Sequence, residues 1–248
     1  MDMERVVLKS LLIVVITLIL IACVNDSASI IPQPSTGVGG STARFTISGD
    51  QLFTVDNESL NVFDISNSSS PVKTNDILIG FGIETIFPKD SLLFIGSQFG
   101  MVVYDISGNF PVYLANFQHA FSCDPVVADD KYAYITLRGG NNCGRFGSQL
   151  DIVEITNILA PRLVISYPMT EPFGLAIDNE LLFVCDEGLK VYNASDVTNL
   201  ELLNHFNINA KDVIPYQGIL MVIGDQGLYQ YNYFGNEIEL LSLIAVSR

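Results

Sequence analysis

Residues 181–195 read "LLFVCDEGLKVYNAS", and residues 92–107 read "LLFIGSQFGMVVYDIS". Each has an apolar run, a short polar break, and a second apolar run ending in Asp or Asn, an apolar residue and Ser. The pattern recurs along the chain. The first run returns as "LFTVD" from Leu52, "LFIGS" from Leu93, "AYITL" from Ala133, "LFVCD" from Leu182 and "LMVIG" from Leu220, in steps of 41, 40, 49 and 38 residues. The second returns as "LNVFDIS" from Leu60, "MVVYDIS" from Met101, "LDIVEIT" from Leu150, "LKVYNAS" from Leu189 and "LYQYNYF" from Leu228, in steps of 41, 49, 39 and 39. Two independent anchors agree on five units, with about ten residues inserted in the third.

Each unit holds four strand-like runs. In the second they are "IETIF" (83–87), "LLFIG" (92–96), "MVVYDI" (101–106) and "VYLANF" (112–117). Turn signals separate them at Pro88-Lys89-Asp90, Gln98-Phe99-Gly100 and Gly108-Asn109. Val, Ile, Phe and Tyr dominate the runs, as pleated and half-buried surfaces require. Many runs are apolar on both faces, which marks a sheet covered on both sides. Four antiparallel strands per repeat, packed between like neighbours, describe a β-propeller blade. The expected fold is all-β, a propeller of five four-stranded blades; the alternative is six or more blades, with one unit too diverged to read. In this phase the chain starts on an inner strand (around 44–48) and ends on an outer one (238–246). The ring then closes by blade-to-blade packing, with no blade shared between the termini.

The second run of each unit resembles the LVIVD repeat of bacterial cell-surface and lipoprotein β-propellers. The likeness spans residues 42–248 and is strongest in "FSCDPVV", "YAYITLRGGNNCG", "EPFGLAID" and "LFVCDEGLKVYNAS". The fifth copy departs at Gln230 and Asn232-Tyr233-Phe234. The resemblance implies a fold and an envelope location, and assigns no activity.

The first residues are a different text. Arg5 and Lys9 precede the charge-free run "SLLIVVITLILIA" (10–22), which ends at Cys23. Its 13 residues fall short of the ~20 that a membrane-spanning helix needs and suit the hydrophobic region of a signal peptide. Leu20-Ile21-Ala22-Cys23 resembles a bacterial lipobox, although Asp2 and Glu4 dilute the usual positive start. That resemblance implies cleavage before Cys23 and acylation of it; the alternative is an uncleaved anchor. Several acyl chains on one cysteine exceed the marginal binding of a single chain. Val24, where Asp would favour the inner membrane, points to the outer membrane. The segments are therefore 1–22 signal peptide, 23–41 lipidated Cys and Ser/Gly/Pro-rich tether, and 42–248 propeller. As a coil the tether spans roughly 25 Å.

The 248 residues carry a net charge of −15. Such a surface excludes a phosphate-backbone partner. Two histidines exclude a multi-histidine metal centre, and the absence of Trp excludes a Trp sugar platform. No cofactor is expected; the alternative is a calcium site built from the top-face Asp residues, which no EF-hand spacing supports.

Propeller topology places the inter-blade links and the loops between second and third strands on one face, here the top. Glu84, Asp124, Arg138, Asp186, Asp212 and Asp225 fall there and converge on the channel mouth. They form the candidate ligand-binding set, with Arg138, Arg145 and Lys211 as the few cations of an acidic face. For any one of them, a loop residue that simply meets water competes equally. The reading is a lipid-anchored binding or scaffold module of the cell envelope, engaging an envelope protein, a glycan or a small ligand. The alternative is a glycan hydrolase using two of Glu84, Asp124, Asp186 and Asp212 as an acid and a base or nucleophile. His119 beside Cys123 lacks the third group of a thiol site.

Cys123, Cys143 and Cys185 remain in an exported chain, one bridge and one spare. Cys123 and Cys143 both fall on the top of unit three and form the expected disulfide, worth ~3 kcal/mol. Cys123–Cys185 is the alternative. Otherwise Cys185 is a buried free thiol.

Overall fold

A computed structural model describes residues 39–119, 125–140 and 147–246. Blade one is β1 (Phe45–Ser48), β2 (Gln51–Val55), β3 (Ser59–Asp64) and β4 (Val72–Leu78). Blade two is β5 (Ile83–Lys89), β6 (Leu92–Ser97), β7 (Gly100–Asp105) and β8 (Val112–Gln118). Blade three is β9 (Val126–Ala128), β10 (Tyr132–Leu137), β11 (Gln149–Glu154) and β12 (Arg162–Pro168). Blade four is β13 (Pro172–Asp178), β14 (Leu181–Asp186), β15 (Leu189–Asn193) and β16 (Glu201–Phe206). Blade five is β17 (Asp212–Tyr216), β18 (Ile219–Gly224), β19 (Gly227–Phe234) and β20 (Glu237–Ala245).

Every sheet is a four-stranded antiparallel meander in chain order, so the fold is the expected five-bladed β-propeller. The phase is also as expected: β1 pairs with β2, and β20 pairs with β19. The first strands of successive blades lie side by side around the channel. Their open edges carry Pro88, Pro172 and Pro215. Proline suits such an edge because it presents no N–H donor to another strand.

The middle strands explain the runs that are apolar on both faces. In β14, Leu182 and Val184 pack with Tyr134, Leu150 and Ile152 of blade three. Phe183 and Cys185, pointing the other way, pack with Val213, Leu220 and Val222 of blade five. Phe53, Leu60 and Val62 seal blade one against Ile83, Leu93 and Ile95 of blade two. Phe94, Met101 and Val103 seal blade two against Val126, Ala133 and Ile135 of blade three. Fully burying each such side chain contributes ~1.5–3 kcal/mol.

The fifth seam is built differently. Blade one's face away from blade two leaves Phe45 and Ile47 exposed, and blade five's face away from blade four leaves Tyr216 and Ile223 exposed. Among the described residues no buried apolar cluster joins these two blades. Residues 39–44 connect them instead, through the polar contacts described below. Closure by blade packing alone therefore holds at four seams and not at the fifth.

The recurring Asp-apolar-Ser now has a physical cause. The backbone N–H of Ser66 donates to Asp64 Oδ1, and that of Ser107 to Asp105 Oδ1, both at 2.8 Å. Ser195 N donates to Asn193 Oδ1 at 3.0 Å. The residue between, Ile65, Ile106, Ile155 or Ala194, donates its N–H to the turn between first and second strands, at 2.8 Å in all four blades. One side chain ends the third strand, and the next backbone donor ties two bottom turns together. Hydrogen bonds from Ser66 and Ser107 hold Asp64 and Asp105 below the usual carboxylate range. In blade five, where the motif is diluted, the corresponding bond from Tyr233 N to Gly218 O stretches to 3.3 Å.

Candidate functional site

The top of the channel opens into a cavity of about 360 Å³ whose walls include Arg44, Glu84, Gln98, Arg138 and Phe173. Two inner strands are kinked to build it. Register shifts fall between Ile83 and Thr85 in β5, and between Pro172 and Leu175 in β13. The shifts take Glu84 and Phe173 out of the ladder at the point where a bulge re-aims a side chain.

Phe173 is the centre of the mouth. The Arg138 guanidinium lies 4.3 Å from its ring centroid, and the Lys211 ammonium 3.9 Å. The electron-rich ring attracts both cations, which would otherwise repel. Its backbone is fixed as well, since Thr136 Oγ1 donates to Phe173 O at 2.6 Å. Arg44 adds a third cation to the wall and is positioned by donating to Ile83 O at 3.1 Å. Glu84 accepts from Gln98 Nε2 at 3.0 Å. In a chain of net charge −15, the mouth gathers three of only 12 basic residues.

Beneath the mouth, the chain itself occupies the channel. Gly39 and Ser41 line a second cavity of about 170 Å³ with Phe87, Val127, Ala176 and Ile214. Ser41, which composition groups with the tether, is buried. Its Oγ donates to Asp212 Oδ1 at 2.9 Å and accepts from Leu175 N at 2.8 Å. Thr42 Oγ1 donates to Asp212 Oδ2 at 2.6 Å, and Val213 N to Oδ1 at 3.0 Å. Gly40 and Gly174 flank this carboxylate so closely that a Cβ on either would overlap it. Burial pushes the Asp212 carboxyl up, against the hydrogen bonds from Thr42 and Ser41.

The sequence-predicted residues therefore separate. Glu84 and Arg138 line the mouth. Asp212 lies below it, spent on Ser41 and Thr42. Asp186 is fully buried: it accepts from Thr170 N and Glu171 N at 3.1 and 2.7 Å and pairs with Lys190 Nζ at 2.7 Å. It latches the link into blade four and offers a ligand no surface. Asp225 does similar work at the surface, accepting from Asn209 Nδ2 at 2.6 Å. Asp124, Arg145 and the expected Cys123–Cys143 bridge lie outside the described residues, as do Cys23 and the segment before residue 39. Cys185 is a buried free thiol that burial pushes well above the usual thiol range.

Sequence reasoning missed Phe173, Arg44 and the Ser41–Thr42 pair. The available signals were Gly40 and Gly174, glycines required by the close approach of a side chain. Among the described residues no second carboxylate lines the cavity with Glu84 to form a glycosidase-type pair. Nor do the described residues gather three potential metal ligands.

Residues 39–76, blade one with its leading segment, match the LVIVD repeat family. No curated protein is significantly similar to the chain. Solved structures share the fold at low identity. A Lactobacillus plantarum protein is 13% identical, with a TM-score of 0.61 over 81% of this chain and 74% of its own. A functionally unknown protein from Desulfotomaculum acetoxidans is 11% identical, with a TM-score of 0.61 over 84% and 68%. The periplasmic gluconolactonase PpgL of Pseudomonas aeruginosa is 12% identical, with a TM-score of 0.57 over 80% and 68%.

Proposed function

We propose that this propeller is a recognition module whose channel mouth takes an anionic ligand: a small carboxylate or phosphate, or such a group on a glycan or protein. The observation that carries the reading is the pair of cations, Arg138 and Lys211, stacked on Phe173, with Arg44 on the cavity wall. Stacking on the ring fixes both cationic heads at the mouth, where they present positive charge to a ligand. Hydrogen bonds to charged groups are worth ~1.5–3 kcal/mol. Isothermal titration with gluconate, galacturonate and inorganic phosphate tests the reading. Arg138→Ala is expected to weaken binding ~10–100-fold. Phe173→Leu is expected to weaken it less, by loosening both cations. No binding by any of the three probes, or binding unchanged in both variants, refutes it.

A second reading rests on Glu84 in the same mouth and on the gluconolactonase among the proteins of like fold. Here Glu84 acts as the general base in lactone hydrolysis. Proton release from δ-gluconolactone, lost in Glu84→Gln, supports it; equal rates in wild type and variant dismiss it.

We also propose that the module is exported and held on the envelope by acylated Cys23, in the outer membrane. The lipobox-like Leu20-Ile21-Ala22-Cys23 supports this. Labelling with a fatty-acid probe is expected in the wild type and absent in Cys23→Ser. Label retained by Cys23→Ser places the acylation elsewhere.

A further inference from the structure

The five outermost strands, β4, β8, β12, β16 and β20, each leave one backbone edge unpaired. Natural sheets protect such edges with charge, proline or short length. Three of the five do so by charge or proline. β4 carries Lys73 and Asp76, β12 opens on Arg162 and closes on Pro168, and β16 carries Glu201 and His205. β8 carries neither charge nor proline, but it has only seven residues, with polar Asn116 and Gln118 near its end. β20 is the longest strand, at nine residues. From Leu240 to Val246 it has no charge and no proline. Leu240, Leu241, Leu243, Ile244 and Val246 are all 42–65% exposed.

We propose that β20 is the docking edge for a second copy of this chain, the two β20 strands pairing antiparallel about a two-fold axis. The strand suits itself. Its only charges, Glu237 and Glu239, lie at its N-terminal end. Antiparallel pairing centred on 240–243 sends them to opposite ends of the joint, each facing an apolar residue of the other copy, so no like charges meet. Parallel pairing would stack Glu on Glu. Another chain surface of this protein, at net charge −15, would repel unless the contact were charge-free, and residues 240–246 are such a contact. The result joins blade five of each copy into one eight-stranded sheet and covers the exposed leucines with their counterparts.

Sedimentation of the full chain in density-matched detergent tests this. The wild type is expected to be a dimer, and Leu241→Lys and Leu243→Lys monomers with unchanged circular dichroism. Leu163→Lys, on the edge of blade three, is expected to remain a dimer. A short bis-maleimide is expected to join Ser242→Cys into dimers faster than it joins Leu163→Cys, which reports the joint even if the lysine variants misfold. A monomeric wild type at every concentration overturns the proposal. So does a dimer that survives both β20 lysines, or equal cross-linking of the two cysteine variants.

Discussion

Asp186→Ala is expected to destabilise the propeller by about 3–5 kcal/mol, the cost of leaving one member of a buried ion pair alone. Lys190 then keeps a largely buried ammonium without its partner, and the N–H groups of Thr170 and Glu171 lose their acceptor. Burial by itself would lower Lys190, but the Asp186 carboxylate offsets it and holds the ammonium above its usual range. For a domain of this size the loss corresponds to a fall of roughly 10 °C in Tm. A cycle separates the charge from the packing. Lys190→Met keeps the aliphatic stem, and the double variant Asp186→Ala/Lys190→Met is expected to regain part of the loss, since no buried charge remains. Thermal unfolding of the four proteins decides it. If Asp186→Ala unfolds like the wild type yet weakens gluconate binding, Asp186 is a ligand contact after all and the latch is wrong.

The second large effect falls on the channel latch. Asp212→Ala removes the acceptor shared by Ser41, Thr42 and Val213, and buried donors left unpaired cost about 1–3 kcal/mol each. Relief of a desolvated carboxylate offsets part of this, so a net loss of about 2–3 kcal/mol is expected. The pH dependence follows from the direction of the shift. Burial raises the Asp212 carboxyl in the folded state, so the fold holds its proton at pH values where the unfolded chain has released it. The contribution of Asp212 is complete below the ordinary carboxylate value and is lost as pH rises through the raised folded value. Asp212→Asn does not titrate. The stability of the wild type relative to Asp212→Asn is therefore expected to be greatest in acid and to shrink as pH rises across that window. Denaturant midpoints of both proteins over the window provide the measurement; a gap that grows with pH contradicts the assignment.

The blades were legible because their cause is local. A strand, a two-residue turn and a capping Asp-x-Ser repeat within each unit, so the period survives even where individual residues change. The turn Glu187-Gly188, with both residues at positive φ (52° and 126°), is written plainly as a hairpin signal. The site was less legible because its cause is distant. Glu84 and Arg138 were readable from topology, which places inner-strand starts and top loops at the mouth. Nothing near Asp186 in sequence reveals that its carboxylate turns inward to meet the N–H groups of residues 170 and 171. Asp212 is matched by residues 170 positions away, and no periodicity reports such a pairing. Phe173 looks like one more core aromatic until the shift at Gly174 re-aims it.

Unequal seams make the blades unequal in their resistance to opening. Blades two, three and four each have an apolar neighbour on both sides. Blades one and five have one each, and share a joint made of a few hydrogen bonds around a single carboxylate. In an array whose stability is a sum over neighbours, the end units detach at the lowest cost. The outermost transitions of this molecule are therefore excursions of blade one or blade five alone, with the three central blades still assembled. Because Asp212 begins β17 and Ser41 leads into β1, the same bonds that close the ring also set how often it opens.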